Sequence, residues 1–380
     1  MIHIDVKENC CGCNGCVQCC PKQCITMHTD EEGFWYPTVD INICINCGLC
    51  ERVCPVLNQN EPQKPLHTYA AKNKNKEIQL QSSSGGMFSL IAEYIIKQNG
   101  IVFGAKFNEK WEVIHSYTDT IEGLKEFRGS KYLQSQIGNT YIKAKEFLIQ
   151  GKYVLFSGVP CQIAGLHKFL GKTYEKLLTI DIICHGVPSP KVWNMYLKSY
   201  YPNINIQKFY FRNKDNGWTN YNIKIHGVLP PKNTKEIIIT ESARRNIYMK
   251  GFLSNLYLRP SCYACPTKQF KSGSDIMLGD FWGIEHTIPE FYDENGISAV
   301  FTLSAKGNKI IESIDSDKTE TDDEKVVTHN ISINKSVNYD SKNRNIFYKH
   351  LENKGYKKAM RKILYKSKII RICNRLRIYK

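Results

Sequence analysis

At 380 residues, 42% of them hydrophobic, the chain exceeds an ordinary single domain and has apolar content for two or three. Eleven of its 16 cysteines crowd between Cys10 and Cys54, yet the opening Met1-Ile2-His3-Ile4-Asp5 does not read as a signal peptide, so a reducing, cytoplasmic setting is expected in preference to a secreted disulfide scaffold. The net charge of +16 is not spread as on a nucleic-acid binder: ten Lys or Arg and no acid fall between Lys357 and Lys380, and no apolar run of 18 residues reads as a membrane span.

In chain order, Cys10, Cys13, Cys16 and Cys20 with Pro21 match C-x2-C-x2-C-x3-C-P, and Cys44, Cys47, Cys50 and Cys54 with Pro55 repeat it 34 positions later. A register through Cys13, Cys16 and Cys19 meets Gln23 where a cysteine is needed and breaks the repeat. Three closely spaced thiolates wrap three corners of a cubane, and the fourth comes from the other motif. That rule assigns one [4Fe–4S] cluster to Cys10, Cys13, Cys16 and Cys54, and a second to Cys44, Cys47, Cys50 and Cys20. Paired zinc sites are the alternative, but they do not explain a cysteine triple followed by Cys-Pro. Between the motifs, Ile25-Thr26-Met27-His28 and Phe34-Trp35-Tyr36-Pro37 flank Gly33 and predict a hairpin. Cys11, Cys19 and Cys24 remain as packing or hydrogen-bonding thiols.

Pro62 and Pro65 stiffen a linker over Glu61–Leu66, and a new domain is expected from His67. Ser82-Ser83-Ser84-Gly85-Gly86 precedes an apolar helix over Met87–Ile96 that stops at Asn99-Gly100. Free N–H groups and the helix dipole at such a terminus suit a phosphate, although a plain serine cap explains the same residues. Next, a strand over Lys152–Ser157 turns at Gly158-Val159-Pro160-Cys161, and another over Leu177–Ile183 runs into Cys184-His185-Gly186 before a helix from Pro190. Cys262 and Cys265 add a C-x2-C pair. Four such cysteines suit a third cubane, a zinc site or a redox pair equally well.

Taken together, Ser83-Ser84-Gly85-Gly86, Arg128-Gly129-Ser130-Lys131-Tyr132, Phe156 to Gln162, Asp181 to Ser189 and Gly279-Asp280-Phe281-Trp282-Gly283 resemble the family of beta subunits of coenzyme F420 hydrogenases and dehydrogenases. The resemblance implies an α+β chain. A bacterial two-cluster ferredoxin domain at 1–60 and a linker at 61–66 lead into a mixed α/β flavin and iron–sulfur region. That region has an N-terminal part at 67–150 and a C-terminal part at 151–320; 321–380 ends in the basic tail. It further implies a third [4Fe–4S] cluster on Cys161, Cys184, Cys262 and Cys265, and FAD at Ser83, Ser84, Gly85, Gly86, Lys131 and Tyr132. Lys131 is then placed to stabilise an anionic reduced flavin and His185 to assist or to donate a proton, with a structural role fixing the Cys184 loop as the plainer reading of His185. Phe281 and Trp282 read as packing.

The expected function is an iron–sulfur flavoprotein oxidoreductase acting on F420 or another two-electron substrate, with an electron donor or acceptor protein as partner. Bacterial relatives of this kind look associated with surface-polysaccharide genes, so the acceptor need not be deazaflavin. The alternative is a non-catalytic electron relay that feeds a partner enzyme. For the tail, a solvated helix is the default and contact with a membrane surface the functional reading; no nucleic-acid partner is expected.

Overall fold

The computed structural model describes residues 1–230 and 235–364. Near the N-terminus β1 (Ile25–Thr29) and β2 (Trp35–Val39) pair as an antiparallel hairpin. Asp30 builds its turn by accepting the N–H groups of Glu32 and Phe34, and Gly33 supplies the left-handed residue at φ +91°. Each cysteine run enters a four-residue helical turn, Gly15–Gln18 or Leu49–Arg52, behind a left-handed Asn14 or Gly48.

The strands that follow are β3 (His67–Lys72), β4 (Ile101–Phe107), β5 (Val113–Thr118), β6 (Val154–Gly158) and β7 (Leu177–Ile182). After them come β8 (Asn205–Asn213), β9 (Asn222–Leu229) and β10 (Lys235–Ser242), then β11 (Ile276–Asp280), β12 (Ser298–Thr302) and β13 (Asp317–Glu320). Eight of these form one sheet in the order β13-β3-β12-β11-β7-β6-β4-β5. Strands β11, β7, β6 and β4 are mutually parallel, and β3 runs with them because it and β11 both oppose β12. One sheet therefore spans both parts of the region after the linker.

Continuous apolar runs in β6 and β7 are what a sheet covered on both faces needs. Leu155 packs with Met87, Ile91 and Ile95 of the helix Met87–Ile96, whereas its neighbours Val154 and Phe156 pack with Tyr141, Ile163 and Leu166 of the helices Thr140–Ile149 and Pro160–Leu170. Successive strand residues face opposite ways, so these helices cover opposite faces. The helix over Met87–Ile96 begins and ends where the sequence places it, and that at Pro190 runs to Tyr200.

The antiparallel sheet β8-β9-β10 has no counterpart among the sequence expectations. It belongs to an aromatic core in which Trp193, Phe211, Tyr248 and Tyr257 pack with Phe347 of the helix Ser341–Lys354. Residues 356–364 are helical, and Tyr356, Ala359 and Met360 are buried in the same core. The start of the basic tail is thus packed on the body; the rest, 365–380, where the membrane-surface expectation falls, lies outside the described residues. No helix among the described residues is long and apolar enough to cross a membrane.

The ferredoxin segment sits against the larger region through specific bonds. Gln18 Oε1 accepts the N–H groups of Tyr141 and Ile142, Asn14 donates to the Gly138 carbonyl, and Lys191 donates to the Glu31 carbonyl. Gly165 permits one close approach: a Cβ there would lie 2.8 Å from Cys13 Cβ.

Candidate iron–sulfur centres and the adjoining cationic edge

The C-terminal ends of the five co-directional strands share one edge of the sheet, where open α/β folds bind ligands. Cys161 follows β6 through the Gly158-Val159-Pro160 turn, and Cys184 follows β7. Cys262 lies on the short 3-10 turn Pro260–Ala264, with Cys265 as the next residue. All four line one cavity with about 570 Å³ of empty space, its open mouth included. Lys268 and Arg259 also line it, and Lys268 donates to the Cys184 carbonyl at 2.9 Å. Burial pushes the Cys184 thiol up to about 11 and that of Cys262 up to about 12, so both hold protons that a bound metal must displace.

In the ferredoxin segment a second cavity, of about 350 Å³, is lined by Cys20, Cys44, Cys47 and Cys50. Cys20, from the other motif, thus lies with the three thiols of the second motif. Cys24 also lines this cavity, its sulfur 3.4 Å from that of Cys20. Cys16 lies within electrostatic reach of Cys10 and Cys54, and Cys13 within reach of Cys16, which brings the remaining set together. Among the described residues no three His, Cys, Asp or Glu converge on the position of one metal ion.

Cys11 has a larger place than a packing thiol. Buried, it lies against both Cys13 and Cys161 and lines the cavity of the four later cysteines. The first ferredoxin set and the third set are therefore neighbours, while the set around Cys47, the exposed cysteine among those described, lies outward. The position of Cys11 next to Cys10 in the sequence gives no hint of this, because the contact crosses from one domain to the other.

Farther along the same edge, Ser83 Oγ accepts the Ser130 N–H at 2.7 Å, and Arg212 donates to the Ser83 carbonyl and to Tyr132 Oη. Tyr132 stacks on Phe252 at 4.9 Å, and Phe252 meets His185 edge-on at 5.1 Å. His185, which lines the cavity of the four later cysteines, bonds Asn255 Oδ1 at 2.7 Å; burial lowers its pKa. These contacts join the expected flavin residues to the third cysteine set.

Gly85 has a packing reason to be glycine: a Cβ would collide with the Ala71 carbonyl and approach Ser298 N to 2.7 Å, and its own N–H donates to Ser298 Oγ. Gly86 takes a left-handed φ of +86° to start the helix Met87–Ile96. Ser84 donates to the Ile297 carbonyl. Lys131 donates to the carbonyls of Glu126, Arg128 and Gly129, and loss of hydration lowers it to about 7.

Sequence reasoning missed two buried cations here. Arg212 forms a bidentate ion pair with Asp280, and Lys214 donates to the carbonyls of Gln79, Ser84 and Asn295. Their signal was two basic residues in the aromatic run Phe209 to Trp218. Asp280 also accepts from Trp218 Nε1, and Trp218 stacks on Trp282 at 4.8 Å, while Phe281 is fully buried.

His115 lies behind the Cys161 turn, its ring nitrogens bonded to Ser135 Oγ at 2.5 Å and the Ser157 carbonyl at 3.0 Å. Burial lowers its pKa to about 4. The unfolded chain takes a proton there once the pH falls below about 6.5, the folded chain only near 4, so stability drains away through that window by about 3 kcal/mol. Melting of the anaerobic protein between pH 7 and pH 4.5 should show this loss, and His115→Gln should flatten it; parallel pH profiles would rule His115 out as the source.

This arrangement defines an iron–sulfur electron-transfer protein built on a mixed α/β sheet. Residues 9–58 match the 4Fe-4S dicluster domain, and residues 151–326 match the family model for the C terminus of the coenzyme F420 hydrogenase/dehydrogenase beta subunit. The chain carries the C-terminal domain of the coenzyme F420 hydrogenase/dehydrogenase beta subunit family behind a dicluster ferredoxin segment at its N-terminus. It is similar to the F subunit of the F(420)H(2) dehydrogenase of Methanosarcina mazei, 26% identical over 190 residues that make up 46% of this chain and 53% of that protein. The chain thus spans about half of that relative's length. Its N-terminal part is similar to Ferredoxin 7Fe of Hydrogenibacillus schlegelii, 42% identical over 75 residues, 18% of this chain and 90% of that one. A chain of the F420-reducing [NiFe] hydrogenase complex from Methanosarcina barkeri superposes with a TM-score of 0.45 and 17% identity, covering 70% of this chain and 84% of that one.

Proposed function

We propose that this chain is an iron–sulfur flavoprotein oxidoreductase that exchanges single electrons with a carrier protein and two electrons with F420 or another small-molecule substrate. The observation that carries the reading is the cavity ringed by Cys161, Cys184, Cys262 and Cys265, joined through Cys11 to the first ferredoxin set. Four thiols with Lys268 and Arg259 beside them fit a [4Fe–4S] cluster, whose thiolate-bound form is anionic and needs nearby cations. Cys10, Cys13, Cys16 and Cys54 would hold the inner ferredoxin cluster, and Cys20, Cys44, Cys47 and Cys50 the outer one. Exposed Ile41, Ile43 and Ile45 precede Cys47 and give a carrier protein an apolar surface close to the outer set.

For FAD, the supporting features are Lys131, Arg212 and Lys214 beside the Ser83-Ser84 loop. Arg212 Nε, buried, has no acceptor among the described residues, and a flavin diphosphate supplies acceptors of the required sign. Lys131, partly discharged by burial, regains its proton when an anion lies beside it. Tyr132 and Phe252 bridge that loop to His185. When bound, FAD supplies the exchange between one-electron and two-electron chemistry.

An electron relay without flavin is the second reading, and one observation favours it: the hydroxyls of Ser83 and Ser84, the Gly85 N–H and the Lys131 ammonium are all satisfied within the protein. Anaerobic reconstitution with iron, sulfide and FAD decides between them. The flavoprotein carries about twelve irons and one FAD per chain. About twelve irons without flavin leaves the relay, and about eight removes the third cluster.

A further inference from the structure

Arg259, fully buried, lies between two cysteine sets. Its Nε donates to the Cys10 carbonyl at 2.7 Å, and Nη2 donates to the Trp35 carbonyl at 2.9 Å and reaches Cys10 Sγ at 3.5 Å. Nη1 donates to Gln134 Oε1 at 3.1 Å, and the guanidinium lies over the Tyr36 ring at 4.4 Å. The same side chain lines the cavity of Cys161, Cys184, Cys262 and Cys265. Gly12 makes room for it: at φ +70°, a Cβ there would meet the guanidinium carbon at 2.9 Å.

No carboxylate pairs with this guanidinium among the described residues; its acceptors are neutral carbonyls, an amide and a thiol. Two other buried arginines have acids, Arg212 with Asp280 and Arg344 with Glu32. A buried cation with no anion costs several kcal/mol, so the site is built for negative charge that the side chains alone do not provide. Thiolate-bound clusters on either side provide it.

We propose that Arg259 is the shared counter-cation of the inner ferredoxin cluster and the third cluster, raising the reduction potential of both relative to the outer one. The second half of this inference rests on the third-cluster reading. One-electron reduction, by a carrier protein or by dithionite, adds one negative charge to a cluster and its thiolates. A fixed positive charge beside them favours the reduced state. By bridging both sets, Arg259 shifts the potentials of the two adjacent carriers in the same direction.

The test is an EPR-monitored redox titration of the reconstituted full chain, with the outer signal assigned through Cys47→Ser. In Arg259→Gln, the inner and third clusters should titrate at more negative potentials while the outer one stays in place, and Arg259→Lys should recover part of the shift. Gln134→Glu, which sets a carboxylate against Nη1 and keeps the arginine, should lower the same two potentials even if Arg259→Gln loses iron. Unmoved inner and third potentials at full iron content overturn the proposal, as does an equal shift of all three. A wild-type content of about eight irons removes the third-cluster reading by itself, and the inner-cluster shift then decides the rest.

Discussion

Replacing Cys184 with alanine should lower iron from about twelve to about eight per chain and leave the ferredoxin signals in the EPR spectrum. Cys184 is the right residue for this test because its neighbouring thiols, Cys262 and Cys265, belong to the same set. Cys161 is a poorer choice, since Cys11 touches it and offers a substitute thiol. Cys47→Ala should also remove about four irons, but from the outer set, so the two variants lose different signals. Unchanged iron in Cys184→Ala would sink the ligand assignment. Substrate turnover should fall far more steeply than iron in either variant, because a broken carrier chain is interrupted and not merely slowed.

The second large effect concerns attachment of the ferredoxin segment. Glu32, at the hairpin turn, meets Arg344 of the helix Ser341–Lys354 in a bidentate pair with side-chain exposures of only 16% and 3%. Arg344 also donates to the Leu258 carbonyl at 2.7 Å and to Tyr263 Oη at 2.8 Å. Removing one partner strands the other charge in a dry site, which typically costs about 3–5 kcal/mol, whereas replacing both with apolar side chains recovers much of it. Arg344→Met and Glu32→Leu should therefore each lower the melting temperature of the anaerobic protein and expose the 61–66 segment to protease. The double variant should lie closer to wild type than either. Additive losses in the double variant would show that the two residues act separately.

Much of the chemistry was legible because it is local. Cysteine spacing within a few residues dictates which thiols can wrap one cluster, and the 34-residue repeat carries the crossing of the fourth ligand. Likewise the strands ending at Gly158 and Ile182 and the helix from Met87 show through periodicity and caps, since each is stabilised by contacts a few residues apart. Strands β8 to β10 were not legible: their polar, alternating sequence takes its meaning from the aromatic core under one face, assembled from segments as distant as Trp193 and Phe347. Gly85 shows the same limit, because its glycine answers to the Ala71 carbonyl across the sheet.

By itself, then, the sequence determined that the first sixty residues carry two cubane motifs, that four later cysteines sit at turns, and that a serine-glycine loop precedes the helix from Met87. Only the tertiary structure decided that those four thiols share one cavity, that Cys11 joins them to the inner ferredoxin set, and that Arg259, Arg212 and Lys214 are buried beside the sites. The reason is physical. Ligand spacing is a property of a short chain segment, whereas the burial of a charge and the meeting of two cysteine sets depend on which distant segments exclude water together.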